Sequence, residues 1–282
     1  MILCCGEALI DMLPRTASSG EPAFAPYVGG AVFNTAIALG RLGAPAAFFS
    51  GISNDLFGRR LSDALTASGV DLSHVRFSDR PTTLAFVHLE DGHATYTFYD
   101  ESTAGRMLTE ADLPVLGGDV EALHFSCISL IPEPCGSTYE ALMRREHGAR
   151  VTMLDPNIRP GFIPDRDRHL ARMRRMITMA DIVKLSDEDL AWFGESGGHD
   201  EIAARWLAAG PKLVVLTRGA KGAVGYTKES RVEAQAKPVA VADTVGAGDT
   251  FNAGLLAFLH EAGLLEKKAL AALGASDLRA AL

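Results

Sequence analysis

No CxxC pair occurs in this chain, and no cysteine–histidine set has metal-ligand spacing. The four cysteines, Cys4, Cys5, Cys127 and Cys135, are too few to staple 282 residues, so reduced thiols in a cytosol are the expectation. No run of five Lys or Arg exists, which removes the electrostatic footprint of a nucleic-acid or membrane-surface binder. The densest basic stretch, Arg172 to Arg175, follows Asp165 and Asp167 and reads as a solvated helix face. No stretch approaches the ~20 apolar residues of a membrane span. The apolar start, Met1 to Leu13, is interrupted by Glu7 and Asp11 with no Lys or Arg ahead of it, unlike a secretory signal. Two familiar phosphate loops are also missing. There is no GxxxxGK[ST], and Gly246-x-Gly248 lacks a third glycine because Phe251 stands there, which argues against P-loop enzymes and nicotinamide dehydrogenases.

What is present is an ordinary globular composition: 48% apolar, 22% charged, net charge −8. Short apolar runs alternate with helical patterns, which predicts a mostly parallel sheet with helices on both faces. Strands are expected over residues 2–10, 46–52, 122–126, 151–154, 182–185 and 213–217. Helices are expected over 31–42, 56–65, 138–146, 166–179, 187–193, 201–207 and 247–260, the last with Phe251, Leu255 and Phe258 on one face. Residues 14–30, rich in Pro and Gly, read as loop or irregular strand. The β-rich stretches 83–89 and 95–99 flank Asp91-Gly92, a hairpin signal that interrupts the alternation and predicts a small β excursion outside the main sheet. Residues 223–241 also read as hairpin material. Gly274 is expected to close a short helix and Ser276 to cap another, with only six residues following it. So short a helix is marginal alone, and the expectation is a natural chain that runs on past Leu282.

The sharpest chemistry lies in DTVGAGDTFNAG, Asp243 to Gly254. Gly246 and Gly248 let backbone N–H groups converge where a helix opens at Ala247, and the helix N-terminus adds partial positive charge. Asp249, in the first turn, is placed to take a proton from a substrate hydroxyl beside that anion hole. A glycine-rich turn with an aspartate serving only the helix dipole is the rival reading.

The string resembles the second signature of the ribokinase-like sugar kinases, the PfkB family, and Gly29-Gly30-Ala31-Val32-Phe33-Asn34 resembles the first. GEALID, GGAVFN, DPNIRP, VKLSDEDL, TRGAKG and DTVGAGD follow the family's order across residues 6 to 254, most similar to bacterial fructokinases. The resemblance implies a three-layer α/β sandwich in a single domain, with a small β lid formed by about 12–30 and 82–103. It implies an ATP-dependent kinase that phosphorylates a sugar hydroxyl, with Mg2+ and, in many members, K+. Asp249 matches the catalytic base; Gly246, Ala247 and Gly248 match the anion hole. Asp11, Gly29, Gly30 and Asn34 match sugar contacts, with Tyr99 and Arg159 added near the sugar or the transferred phosphoryl group. Thr217, Gly219 and Gly222 match a nucleotide-phosphate loop, and Lys184 is placed to face phosphate. Asp243 and Val245 match backbone positions that hold a monovalent cation.

The family's NxxE motif reads Ser186-Asp187-Glu188-Asp189 here, so Asp189 stands for the glutamate that orders magnesium-bound waters; a plain helix cap by Ser186 competes with that role. Asp11 as a turn residue, Asn34 as a solvated one, Thr217-Gly219 as a β-turn and Arg159 as a surface residue also remain open. The lid ends Phe98-Tyr99-Asp100-Glu101. Asp100 would repel a sugar acid, which favours fructose over 2-keto-3-deoxygluconate. A ribose or nucleoside kinase, and a catalytically silent sugar sensor, remain alternatives. The expected partners are sugar and ATP in the cytoplasm, with no nucleic acid and no membrane; a homodimer through the lid stays open.

Overall fold

The short apolar runs become one eight-stranded sheet, with strands numbered in chain order: β1 (Ile2–Cys5), β4 (Ala46–Phe49), β9 (Ala122–Ser126), β10 (Val151–Asp155), β11 (Ile182–Ser186), β12 (Leu213–Thr217), β13 (Ala223–Tyr226) and β14 (Arg231–Ala234). The computed structural model describes residues 1–90, 93–239 and 245–282. The spatial order is β14-β13-β12-β11-β10-β9-β1-β4. Every pair from β4 to β12 is parallel, while β13 and β14 add an antiparallel edge. The parallel strands β1, β9, β10, β11 and β12 end on the same side of the sheet, at Cys5, Ser126, Asp155, Ser186 and Thr217, and open α/β sheets place their ligands at that carboxyl edge.

Both faces of this sheet are covered. Ile2 and Cys4 point to one core with α1 (Ala31–Arg41), α2 (Leu56–Ala67), α7 (Ala247–Glu261), α8 (Lys267–Ala271) and α9 (Ala275–Ala281). Leu3 and Cys5 point to the other, with α3 (Cys135–Glu146), α4 (Arg166–Met179), α5 (Asp187–Phe193) and α6 (His199–Ala209). Strand side chains alternate, so a strand covered on both faces must be apolar throughout, and β1 is fully buried. Among the described residues no helix is long and apolar enough to cross a membrane.

A second sheet stands apart, in the order β3-β2-β7-β8, from β2 (Leu9–Thr16), β3 (Pro22–Gly29), β7 (Leu84–Glu90) and β8 (His93–Tyr99). The expected single strand over 2–10 is therefore two, split at Gly6, and the expected loop over 14–30 is largely paired backbone. Pro14, Pro22 and Pro26 are compatible with this pairing because β3 is an edge strand that begins at Pro22, and Pro14 lies beyond the part of β2 that pairs with β7. The hairpin of β7 and β8 forms as expected; its Asp91-Gly92 turn lies outside the described residues. The expected strand 46–52 also divides, into β4 and β5 (Gly51–Ser53), which pairs with β6 (Arg76–Ser78). The cap of α9 is Gly274 rather than Ser276. The buried face of α7 centres on Asn252, Leu255, Leu256 and Leu259, so its aromatic residues lie at the margin of that face.

Candidate active site

The carboxyl edge of the main sheet, the start of α7 and the start of α1 meet at Asp249. Gly246 is the N-cap of α7, in the left-handed conformation at φ 78°, and among the described residues no side chain makes a capping hydrogen bond there. A side chain at that φ is strained, so glycine keeps the first N–H groups of α7 open. Asp249 is only 7% exposed. Its Oδ2 accepts a hydrogen bond from Asn34 Nδ2 at 2.9 Å, and its carbonyl accepts one from Thr35 Oγ1 at 3.2 Å. The two motifs, 215 residues apart in sequence, thus meet at Asp249. Burial pushes the Asp249 carboxyl up to about 6, against the pull of the Asn34 hydrogen bond; the Asp155 charge adds to the rise, and Lys184 and Arg159 oppose it.

Beneath the helix start lies a buried polar cluster. Lys184 Nζ donates to Asp155 Oδ2 at 2.9 Å, and Asn252 Nδ2 donates to the same oxygen at 2.8 Å. Asp155 is fully buried and Lys184 nearly so. A Cβ on Gly248 would stand 3.1 Å from Lys184 Nζ, so the ammonium lies directly against the first turn of α7. Sequence reasoning placed Lys184 near phosphate but missed Asp155 and Asn252. The signal for Asp155 was its position, a carboxylate ending an all-apolar strand.

Ser186 and Asp189 form a reciprocal capping box on α5: Ser186 Oγ accepts from Asp189 N at 3.0 Å, and Asp189 Oδ2 accepts from Ser186 N at 2.9 Å. Asp189 Oδ1 accepts from Ile158 N at 2.7 Å, which pins the loop that follows Asp155 and carries Arg159. Both oxygens of Asp189 are engaged; the exposed acids of that turn are Asp187 and Glu188. Arg159 is exposed beside this loop, its guanidinium donating to Ile158 O at 3.0 Å.

In the small sheet, burial pushes the Asp11 carboxyl up to about 6. A Cβ on Gly29 would fall 2.2 Å from Asp11 Oδ2. The register puts Asp11, Tyr27, Ala85 and Phe98 in one row of the small sheet, hence on one face. Phe98 packs on Phe162 with ring centroids 4.6 Å apart. Tyr99 therefore lies on the opposite face, 60% exposed and edge-on to Phe86, so the aromatic facing the main domain is Phe98, one residue from the expected one. Asp100 is also not a bare charge: it pairs with Arg106 at 3.0 Å, which cancels the repulsion expected of it.

At the end of β12, Thr217 sits in register beside Ser186, and its hydroxyl donates to Leu185 O at 3.3 Å. Gly219 and Gly222 have φ of 54° and 85°, and a Cβ on Gly222 would strike Ala234 O at 2.0 Å. Val245 is exposed before the α7 cap; Asp243 lies outside the described residues.

A family model described as pfkB family carbohydrate kinase matches residues 1–280. The chain belongs to the pfkB carbohydrate kinase family. A fructokinase of Rhizobium leguminosarum bv. trifolii is 62% identical over 279 residues, covering 99% of this chain and 86% of the relative. Among solved structures, a fructokinase of Xylella fastidiosa with bound ATP matches with a TM-score of 0.86 at 28% identity, covering 99% of this chain and 89% of that one. A fructokinase of Vibrio cholerae O395 bound to fructose, ADP and calcium matches at 0.83 and 31% identity, covering 96% and 88%. The three-layer fold and the kinase family expected from the motifs both stand.

Proposed function

We propose that this pfkB kinase is an ATP-dependent fructokinase, moving the γ-phosphoryl group of ATP to the C6 hydroxyl of D-fructose. One observation carries the reading: a buried carboxylate, Asp249, stands at the uncapped start of α7 and is tied by 2.9 Å to Asn34 of the sugar-binding motif. Asp249 takes the hydroxyl proton as the oxygen attacks. The N–H groups of Ala247 and Gly248 hold the charge that develops on the phosphoryl oxygens. Lys184, held by Asp155, keeps that region positive. Asp11, Gly30 and Asn34 orient the sugar, and the small sheet acts as a lid that brings Phe98 over it and excludes water. Thr217, Gly219 and Gly222 line the nucleotide phosphates.

The choice of fructose rests on the 62% identity to a fructokinase, since the ion-paired Asp100 no longer argues for it. Mg2+ fits the exposed Asp187 and Glu188, which would meet its waters, and it neutralises phosphate charge when bound with ATP. A K+ site near Asp243 and Val245, and a homodimer joined through the lid, belong to the same proposal. So does a cytoplasmic setting, which the four buried free thiols suit. The test is coupled ADP release across a sugar panel. Fructose should exceed ribose, 2-keto-3-deoxygluconate and adenosine at least tenfold in kcat/KM; a higher value for any of these overturns the assignment.

A further inference from the structure

The start of α1 is capped from outside the helix. Gly30 has no side chain to do it, and at φ 112° its Cβ would stand 2.8 Å from the carbonyl oxygen of Glu7. The cap is the Glu7 carboxylate, in the link between β1 and β2. Its Oε1 accepts from Ala31 N at 2.7 Å and Val32 N at 3.4 Å. Its Oε2 is buried and has no hydrogen-bond partner among the described residues. Ser129 is close enough to pull the carboxyl's pKa down, but its hydroxyl proton is directed to Ser126 O at 2.8 Å. Glu7 is 8% exposed, and burial pushes its carboxyl up to about 7. A buried carboxylate oxygen left unmatched is costly, and native structures complete such atoms with water or ligand.

Glu7 lines a cavity, partly open to solvent, together with Ala8, Thr83, Ile128, Ser129 and Phe162. Its water-accessible space is about 30 Å³, room for a water or a hydroxymethyl group and not for a whole sugar. The Asp100–Arg106 pair lines it from the lid end. Cys127, next to Ile128, feels the charges of both Glu7 and Asp249. Cys127 is held at φ 63°, a strained conformation of the kind that clusters at ligand sites.

Asp100 and Arg106 cancel each other, leaving one carboxylate oxygen among largely apolar walls. A second carboxylate would be repelled there, and an ammonium, with three donors, would find one acceptor. A neutral hydroxyl matches both the single acceptor and the apolar walls. Resting on the fructokinase reading, we propose that this cavity is a sugar subsite in which Glu7 Oε2 accepts a hydrogen bond from the hydroxyl at the end of the sugar remote from the phosphorylated carbon, the C1 hydroxymethyl of fructose. Glu7 thus caps α1 with one oxygen and reads the substrate with the other.

The experiment compares fructose with 1-deoxy-D-fructose, in wild type and Glu7→Gln, by ADP release. Glutamine keeps the size and an amide oxygen for the α1 N–H groups, but turns an amide donor toward the cavity. In wild type the deoxy sugar should show a KM roughly 10- to 100-fold above that of fructose, the worth of a hydrogen bond to a charged group. In Glu7→Gln the fructose KM should rise by a similar factor, and the ratio between the two sugars should fall below about threefold. Equal KM values in wild type overturn the subsite. A variant that weakens both sugars equally and keeps their ratio shows Glu7 to be a helix cap only. A wild type that phosphorylates other sugars but neither of these defeats the fructokinase reading and the subsite with it. Should Glu7→Gln melt early, Ile128→Phe fills the cavity without touching the cap; it must close the gap between the two sugars, and an unchanged ratio overturns the proposal.

Discussion

Asp249→Asn should make the protein more stable and nearly inactive, and both effects have one physical cause. Burial lifts the carboxyl to about 6, from an ordinary value of 3.8. About two pKa units, at 1.36 kcal/mol each, give roughly 3 kcal/mol that the folded state loses on ionising this group. Because the folded value is raised, the stability is present below pH about 4 and is lost as pH rises through about 6. Asparagine never ionises, and its amide oxygen still accepts from Asn34. At pH 7.5 the variant should therefore melt roughly 5 °C above wild type, with the difference shrinking toward zero near pH 4. Turnover should fall on the order of 10²–10⁴-fold, the usual share of a general base, while fructose still binds by calorimetry. Scanning calorimetry across pH and the ADP-release assay read the two effects separately. Equal melting temperatures at pH 7.5 would refute the burial argument, and turnover above about a tenth of wild type would assign the base elsewhere.

Wild-type kcat/KM should be level between pH 7 and 8 and fall about tenfold per unit below about 6, as Asp249 gains its proton; a profile flat down to pH 5 contradicts that role. Lys184→Met strands the fully buried Asp155 without its ammonium and should cost about 3–5 kcal/mol in urea unfolding, the penalty for breaking a buried pair. A loss under about 1 kcal/mol would mean that Asn252 alone suffices. EDTA should stop ADP release and Mg2+ restore it, yet titrating Mg2+ into nucleotide-free protein should show no saturable site; a tight site there would require a protein cage for the metal.

The alternation of strand and helix, the two glycine-rich motifs and the placing of Asp249 at a helix start were all legible in the chain itself. They are local properties: hydrophobic period, capping chemistry and glycine at left-handed positions such as Gly246. The capping box of Ser186 and Asp189 is equally local. What the chain alone did not reveal depends on neighbours far away in sequence. Splitting the first strand at Gly6 requires knowing that Leu9–Thr16 pairs with Pro22–Gly29 instead of continuing the main sheet. Choosing Phe98 over Tyr99 requires the register with Asp11, because a one-residue difference on a strand reverses the face. Asp100 reads as a repelling charge until Arg106 is brought to 3.0 Å. Asp155 and Asn252 gain their meaning only where α7 lies across β10 and β11, and Glu7 only where its two oxygens divide between the α1 start and a cavity. Local sequence sets which conformations and chemistries are available, and tertiary packing decides which charges are paired, which are buried and which face the substrate.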